Sequence, residues 1–220
     1  IAELEKLHDG LHLDAPFLQP LLWPVSFPDV FPVDGDARGF DIVVANPPYV
    51  RQESIDAIDQ ESFAAAFDDV FTGTTDLFVV FFSRAMQLLK SGGWMAFVTS
   101  NKYMRAGYGE KLREVLPREL QIAQVIDFGD LDIFEKIAAY PAIVVGQKQA
   151  KPDQEAAVIV ADLAVPIRAL LNAEDRTANA TEIRNALQDL PGIIERNRAA
   201  DYPQALLRGQ GWILEDPVLV

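Results

Sequence analysis

Cysteine is absent from the 220 residues, which excludes a disulfide framework and any thiolate nucleophile or metal ligand. Histidine is nearly absent. His8 and His12 are four apart and would share one face of a helix, but no third ligand stands near them in a recognisable spacing, so no metal site is expected. Long apolar runs are missing too. The longest, Leu77 to Phe82, is far short of the roughly 20 residues that span a bilayer. The acidic, polar N-terminus has none of the pattern of a secretory signal, so no membrane association and a cytoplasmic location are expected. Basic charge is scarce, with 19 Lys and Arg against 33 Asp and Glu, net −14. Affinity for nucleic acid comes largely from neutralising phosphates, so this composition argues against a stand-alone DNA binder. Any DNA contact must use a local patch, for which Arg51, Lys102, Arg105, Lys111 and Arg113 are candidates, or basic surface elsewhere in the protein.

What remains is half hydrophobic and about a quarter charged, the balance of a globular domain with one sizeable core. Residues 1–33 read as an irregular lead-in, punctuated by Pro16, Pro20, Pro24, Pro28 and Pro32, with a short helix near Ile1–His8. Phe40 to Ala45 is short, continuous and rich in β-branched residues, the pattern of a buried strand. A helix capped by Thr75 or Asp76 runs to about Leu89, apolar on most sides, with Phe78, Phe81 and Phe82 in the core. Lys90-Ser91-Gly92-Gly93 stops it. Trp94 to Thr99 is a strand, Gly107-Tyr108-Gly109 opens a helix through Leu116, and Ile122 to Phe128, Ala142 to Gly146 and Ala157 to Val160 are further strands. This alternation predicts an α/β fold with a parallel sheet. Residues 34–150 form its main part. Residues 151–220 are expected to hold a short strand, a helical linker and the start of a truncated target-recognition region.

The strand at Phe40 runs into Asn46-Pro47-Pro48-Tyr49, which cannot continue it. In open α/β sheets ligands gather at the carboxyl ends of the strands, and both this loop and Ser100-Asn101-Lys102 emerge there. The residue types suit methylation of a planar, amide-like nitrogen. Such a nitrogen shares its lone pair with a ring or carbonyl. It needs two hydrogen-bond acceptors aimed at its N–H groups as it becomes tetrahedral and positive. The Asn46 side-chain oxygen and the Pro47 carbonyl can be those acceptors. The prolines restrict φ and hold the carbonyls in place, and Tyr49 can stack on a base flipped out of the duplex.

The string Phe40 to Tyr49 resembles the catalytic motif of amino-methyltransferases. Several further blocks resemble the methylase part of type IIG restriction-modification enzymes. They are Trp23 to Phe31, Asp76 to Phe82, Leu88 to Gly93, Phe97 to Tyr103, Arg105 to Gly109 with Leu112-Arg113, and Asp127 to Asp130. The resemblance covers roughly residues 20–150. It implies the C-terminal half of a Rossmann-like, S-adenosylmethionine-dependent methyltransferase sheet with a helical C-terminal extension. It also implies transfer of methyl to the exocyclic amine of a flipped adenine in double-stranded DNA. By this resemblance Asn46, Pro47, Pro48 and Tyr49 are catalytic, and Asn46 and Pro48 also face the cofactor. Tyr108, then Tyr103, is expected to stack on the far side of the base, and Lys102 and Arg105 to contact phosphate.

One departure stands out. Such enzymes bind the cofactor mainly through a glycine-rich loop after the first strand, and no Gly-x-Gly occurs in the 45 residues before Asn46. The expectation is therefore a partial chain, inactive alone, lacking the main cofactor loop. No nuclease signature (a Glu-x-Lys after a metal-binding Asp) is visible. An RNA or protein-glutamine methylase with the same motif, or a non-catalytic module that positions DNA or a partner, remain the alternatives.

Overall fold

A computed structural model describes residues 21–32, 38–131, 140–170, 184–185, 187–199, 202–209, 211–212 and 214. The chain divides into two compact units, Ile1–Arg38 and Gly39–Val220. In the first, the described residues of the expected irregular lead-in contain one helical turn, α1 (Trp23–Ser26), started by Pro24 and closed by stacking of Trp23 on Phe27 at 5.7 Å. The helix expected at Ile1–His8, with both histidines, lies outside the described residues.

The second unit is a six-stranded sheet. Its elements are β1 (Phe40–Ala45), α2 (Ala57–Ala66), α3 (Leu77–Leu88), β2 (Leu89–Ser100), α4 (Glu110–Glu119), β3 (Leu120–Asp127), β4 (Pro141–Lys148), β5 (Ala157–Asp162), α5 (Ala164–Leu170), α6 (Leu190–Asn197) and β6 (Tyr202–Pro203). The strand order is β1-β2-β4-β3-β5-β6. The sheet is mixed, which corrects the all-parallel expectation. β1 with β2 and β3 with β5 are parallel, but β4 inserts antiparallel between β2 and β3. A strand inserted this way needs no helical crossover, and its apolar run looks the same in either direction. The carboxyl ends of β1, β2, β3 and β5 therefore share one edge with the start of β4.

Strand β2 begins where the helix before it ends, so Lys90 to Gly93 are not the stop that composition suggests. Phe40 pairs with Leu89 and Ile42 with Trp94, so the intervening residues bulge, helped by Gly92 at φ +79°. One face of the sheet carries Met95, Phe97, Val125, Val144 and Val160 into a large core under α3 and α4. On the other face Ile126, Ala161 and Leu163 pack with Ile167 of α5 and Ile193 of α6 in a smaller core. Helix α3 is buried except for a stripe at Phe81, Arg84 and Gln87, so Phe81 is not core as expected.

Residues after 150 do not form a separate region among those described. β5 and β6 extend the sheet, and Tyr202, Leu207, Trp212 and Leu214 enter the large core. Gln204, fully buried, accepts from the Ile122 N–H at 2.7 Å and donates to the Pro117 and Leu120 carbonyls at 2.9 Å each. A polar side chain so placed locks this segment down, because a free end would strand buried carbonyls.

Candidate active site

The Asn46 loop leaves β1 at the shared carboxyl edge. Asn46 and Pro48 are exposed, Pro47 is buried, and Tyr49 is half-buried against the large core. The side chain of Asn46 thus faces solvent while the proline behind it is fixed. The Tyr49 hydroxyl is shut off from solvent without a hydrogen-bond partner, and burial pushes its pKa up.

The chain just beyond the loop is tied from three sides. The Val50 carbonyl accepts the Leu77 N–H at 3.0 Å. The Gln52 N–H donates to Asp76 Oδ1 at 3.3 Å. The Gln60 amide of α2 donates to the Ile55 carbonyl at 2.9 Å and the Gln52 carbonyl at 3.4 Å. Asp76 occupies the N-cap position of α3, as the sequence predicts, but its carboxylate makes no capping bond to its own helix. It is turned to Gln52 and to Tyr108 instead. Sequence reasoning missed this, because an Asp before an apolar helix is already explained as a cap.

Tyr108 is half-buried and packs on the large core. Its hydroxyl is buried and faces Asp76 without closing a hydrogen bond of good geometry. Burial first, then the Asp76 carboxylate, drives its pKa far above the ordinary tyrosine value. Its approach is set by Gly109, where any Cβ would collide with the Tyr103 carbonyl. Tyr103 is a correction. It is 0% exposed, with its ring between Phe78, Phe82 and Trp212, so it has no free face for a base. The sequence does not separate the two tyrosines, since both stand in a short loop after a strand.

The expected basic patch also divides. Arg51, Lys102 and Arg105 are exposed. Lys111 is committed to the Asp68 and Phe71 carbonyls at 2.8 and 2.9 Å. Arg113 is buried and donates to the carbonyls of Tyr103 at 2.6 Å, Ala106 at 2.8 Å and Gly209 at 3.1 Å. Both are internal braces. Lys102 lies 5.3 Å from the Tyr140 ring centroid, a cation–π distance. Tyr140 itself has φ 43°, a left-handed conformation that costs a non-glycine residue energy.

Along the same edge, Asn101 after β2 donates to Asp127 Oδ1 at the end of β3 at 2.8 Å, bridging over the start of β4. Asp127 also accepts the Gly129 N–H at 2.8 Å. Burial raises its pKa, against the lowering by Asn101 and Gly129. Among the described residues no group of three His, Asp or Glu gathers as a metal site, and no helix is long and apolar enough to cross a membrane.

Residues 5–134 match the Eco57I restriction-modification methylase family. The chain belongs to that family. It is 34% identical over 118 residues to the Type II methyltransferase M.XhoI of Xanthomonas vasicola, covering 53% of this chain and 21% of that protein. It is 35% identical over 109 residues to the Type II methyltransferase M.BanIII of Aneurinibacillus aneurinilyticus, covering 50% of this chain and 18% of that one. The chain thus spans about a fifth of the length of the relatives it matches. Among solved structures, the DNA-bound ATP-dependent Type ISP restriction-modification enzyme LlaBIII superposes with a TM-score of 0.51 at 14% identity. That match covers 79% of this chain and 12% of LlaBIII, and it supports the Rossmann-like α/β fold.

Proposed function

We propose that this chain carries the catalytic loop of a DNA adenine methyltransferase, transferring methyl from S-adenosylmethionine to the exocyclic amine of a flipped adenine. The observation that carries the reading is the Asn46 loop itself: an exposed Asn46 on a buried Pro47 at a strand's carboxyl end, its exit tied to α2 and α3. The Asn46 oxygen and the Pro47 carbonyl accept hydrogen bonds from the amine, localise its lone pair and stabilise the positive charge that develops. Tyr49 stacks on the extruded base. The exposed cations Lys102, Arg105 and Arg51 contact phosphate. The large negative balance of the chain means that most of the DNA-binding charge lies elsewhere in the protein.

When bound, S-adenosylmethionine supplies an electrophilic methyl group. Asn46 and Pro48, both exposed in the loop, would face it. Tyr108, half-buried on the large core, forms a wall of the site on the far side of the base. The family relatives named as Type II methyltransferases support the reaction class, and a cytoplasmic location follows from it.

The test is tritiated methyl transfer by the complete protein to duplex DNA, tRNA and protein substrates. Label on the adenine amine of DNA is expected. Asn46→Ala should reduce transfer at least about a thousandfold, with DNA binding retained. Strong labelling of RNA or protein, or an active Asn46→Ala variant, overturns the reading.

A further inference from the structure

The carboxylate of Asp76 is unused by the chemistry above and unused by its own helix. It stands at the start of a buried helix whose preceding turn is itself rigid: Thr75 Oγ1 accepts the Thr72 N–H at 2.8 Å and bonds Thr72 Oγ1 at 2.7 Å. The Thr75 side chain is fully buried. Asp76 is therefore a fixed point. From it one carboxylate oxygen holds the Gln52 N–H, three residues past Tyr49. The same carboxylate faces the buried Tyr108 hydroxyl, which has no other partner.

We propose that Asp76, together with Tyr108, is a positioning pair that sets the exit of the Asn46-Pro47-Pro48-Tyr49 loop. The loop's entry is fixed by β1. Its exit has no sheet pairing, so its direction is set by the Asp76–Gln52 and Val50–Leu77 bonds. The two prolines make the stretch between entry and exit stiff, so moving the exit moves the Pro47 carbonyl and the Tyr49 ring as a unit. Acceptors aimed at a developing charge lose their effect when displaced by about 1 Å. The Tyr108 hydroxyl faces the same carboxylate without a closed hydrogen bond. This buried hydroxyl is costly while that bond stays open. The inference rests on the proposed function for its catalytic consequence and on the geometry alone for the tether.

The experiment compares Asp76→Ala, Asp76→Asn and Tyr108→Phe in the complete protein. The readouts are steady-state methylation, hydrogen–deuterium exchange over residues 46–55, and thermal midpoint. Asp76→Ala should speed exchange in that segment about tenfold and lower kcat about ten- to a hundredfold, with KM for DNA within about threefold. Asp76→Asn keeps an oxygen for Gln52 and should restore slow exchange and most of kcat. Tyr108→Phe deletes a buried, unpartnered hydroxyl, so the midpoint should hold or rise while kcat falls about three- to tenfold. A purely structural role cannot produce that opposition. Unchanged exchange in Asp76→Ala overturns the tether. Full activity in Tyr108→Phe removes Tyr108 from the pair. If Asp76→Ala does not fold, fast exchange over residues 46–55 in Asp76→Asn overturns the tether, and unaltered kcat in Tyr108→Phe overturns the pairing. If exchange responds as expected but the wild-type protein methylates no DNA, the tether stands and the proposed function fails.

Discussion

The second face of the sheet is finished at one end and open at the other. At the β3–β5 end, Ile126, Ala161 and Leu163 are covered by α5 and α6. At the β1–β2 end the same face presents Ile42 at 63%, Val44 at 72% and Trp94 at 40% exposure. Yet Phe40 to Ala45 has the continuous apolar pattern of a strand built for burial on both sides. Its inner residues Val43 and Ala45 obey that pattern by packing on the large core. Hydrophobic character therefore tells that a face suits covering, not what covers it. Isolated exposed apolar residues are ordinary, but three neighbours on one strand pair form a patch.

Substitutions across this divide should separate it energetically. The largest effect is expected on the first face. Phe97→Ala removes a ring packed on Phe82 at 4.7 Å and should cost about 3–5 kcal/mol in denaturant unfolding. A cost below 1 kcal/mol would mean that the large core is loosely packed. At the finished end of the second face, Ile193→Ala should cost about 2–3 kcal/mol, because fewer layers surround it.

Asp127, next to that end, gives a pH-dependent effect. Its folded pKa is raised, chiefly by burial, so its stabilising contribution is greatest below the unfolded carboxylate pKa and is lost as pH rises through the folded one. Asp127→Asn keeps an oxygen for Asn101 and Gly129 and removes the buried charge. It should therefore raise the midpoint at neutral pH relative to wild type, and the gap should close as pH falls below about 4. A gap that widens on acidification would reverse the assignment.

The smallest effect is expected at the open end, where Val44→Thr should change the stability of the 220-residue chain by less than about 0.5 kcal/mol. The same substitution in the complete protein decides the matter. A cost above about 1 kcal/mol there means that the face is covered in that setting, and no cost means that it stays open.

The place of the Asn46 loop was legible for a local reason. Asn46-Pro47-Pro48-Tyr49 follows a β-branched run, and prolines act on their own backbone and immediate neighbours. The positions of β1, α3, β2 and β3 were legible as well, because period and composition report on the faces of one segment at a time. The carboxyl edge, with Asn46 and the Asn101 loop on it, followed from strand order along the chain. Non-local arrangement was beyond reach. β4 reads the same whether parallel or antiparallel. Tyr103 and Tyr108 are alike in sequence, and only the arrival of Trp212 from more than a hundred residues away seals one of them. Lys111 and Arg113 look like a phosphate patch until carbonyls from other segments surround them.

The sequence by itself determined where β1, α3, α4 and β3 fall, though not α2, where the stiff Asn46 loop falls, and that the chain is acidic and cysteine-free, because those properties belong to residues and their near neighbours. Only the tertiary structure decided which aromatics and cations are buried and that the Asp76 carboxylate bonds the Gln52 N–H rather than its own helix, because each depends on what distant segments bring against it.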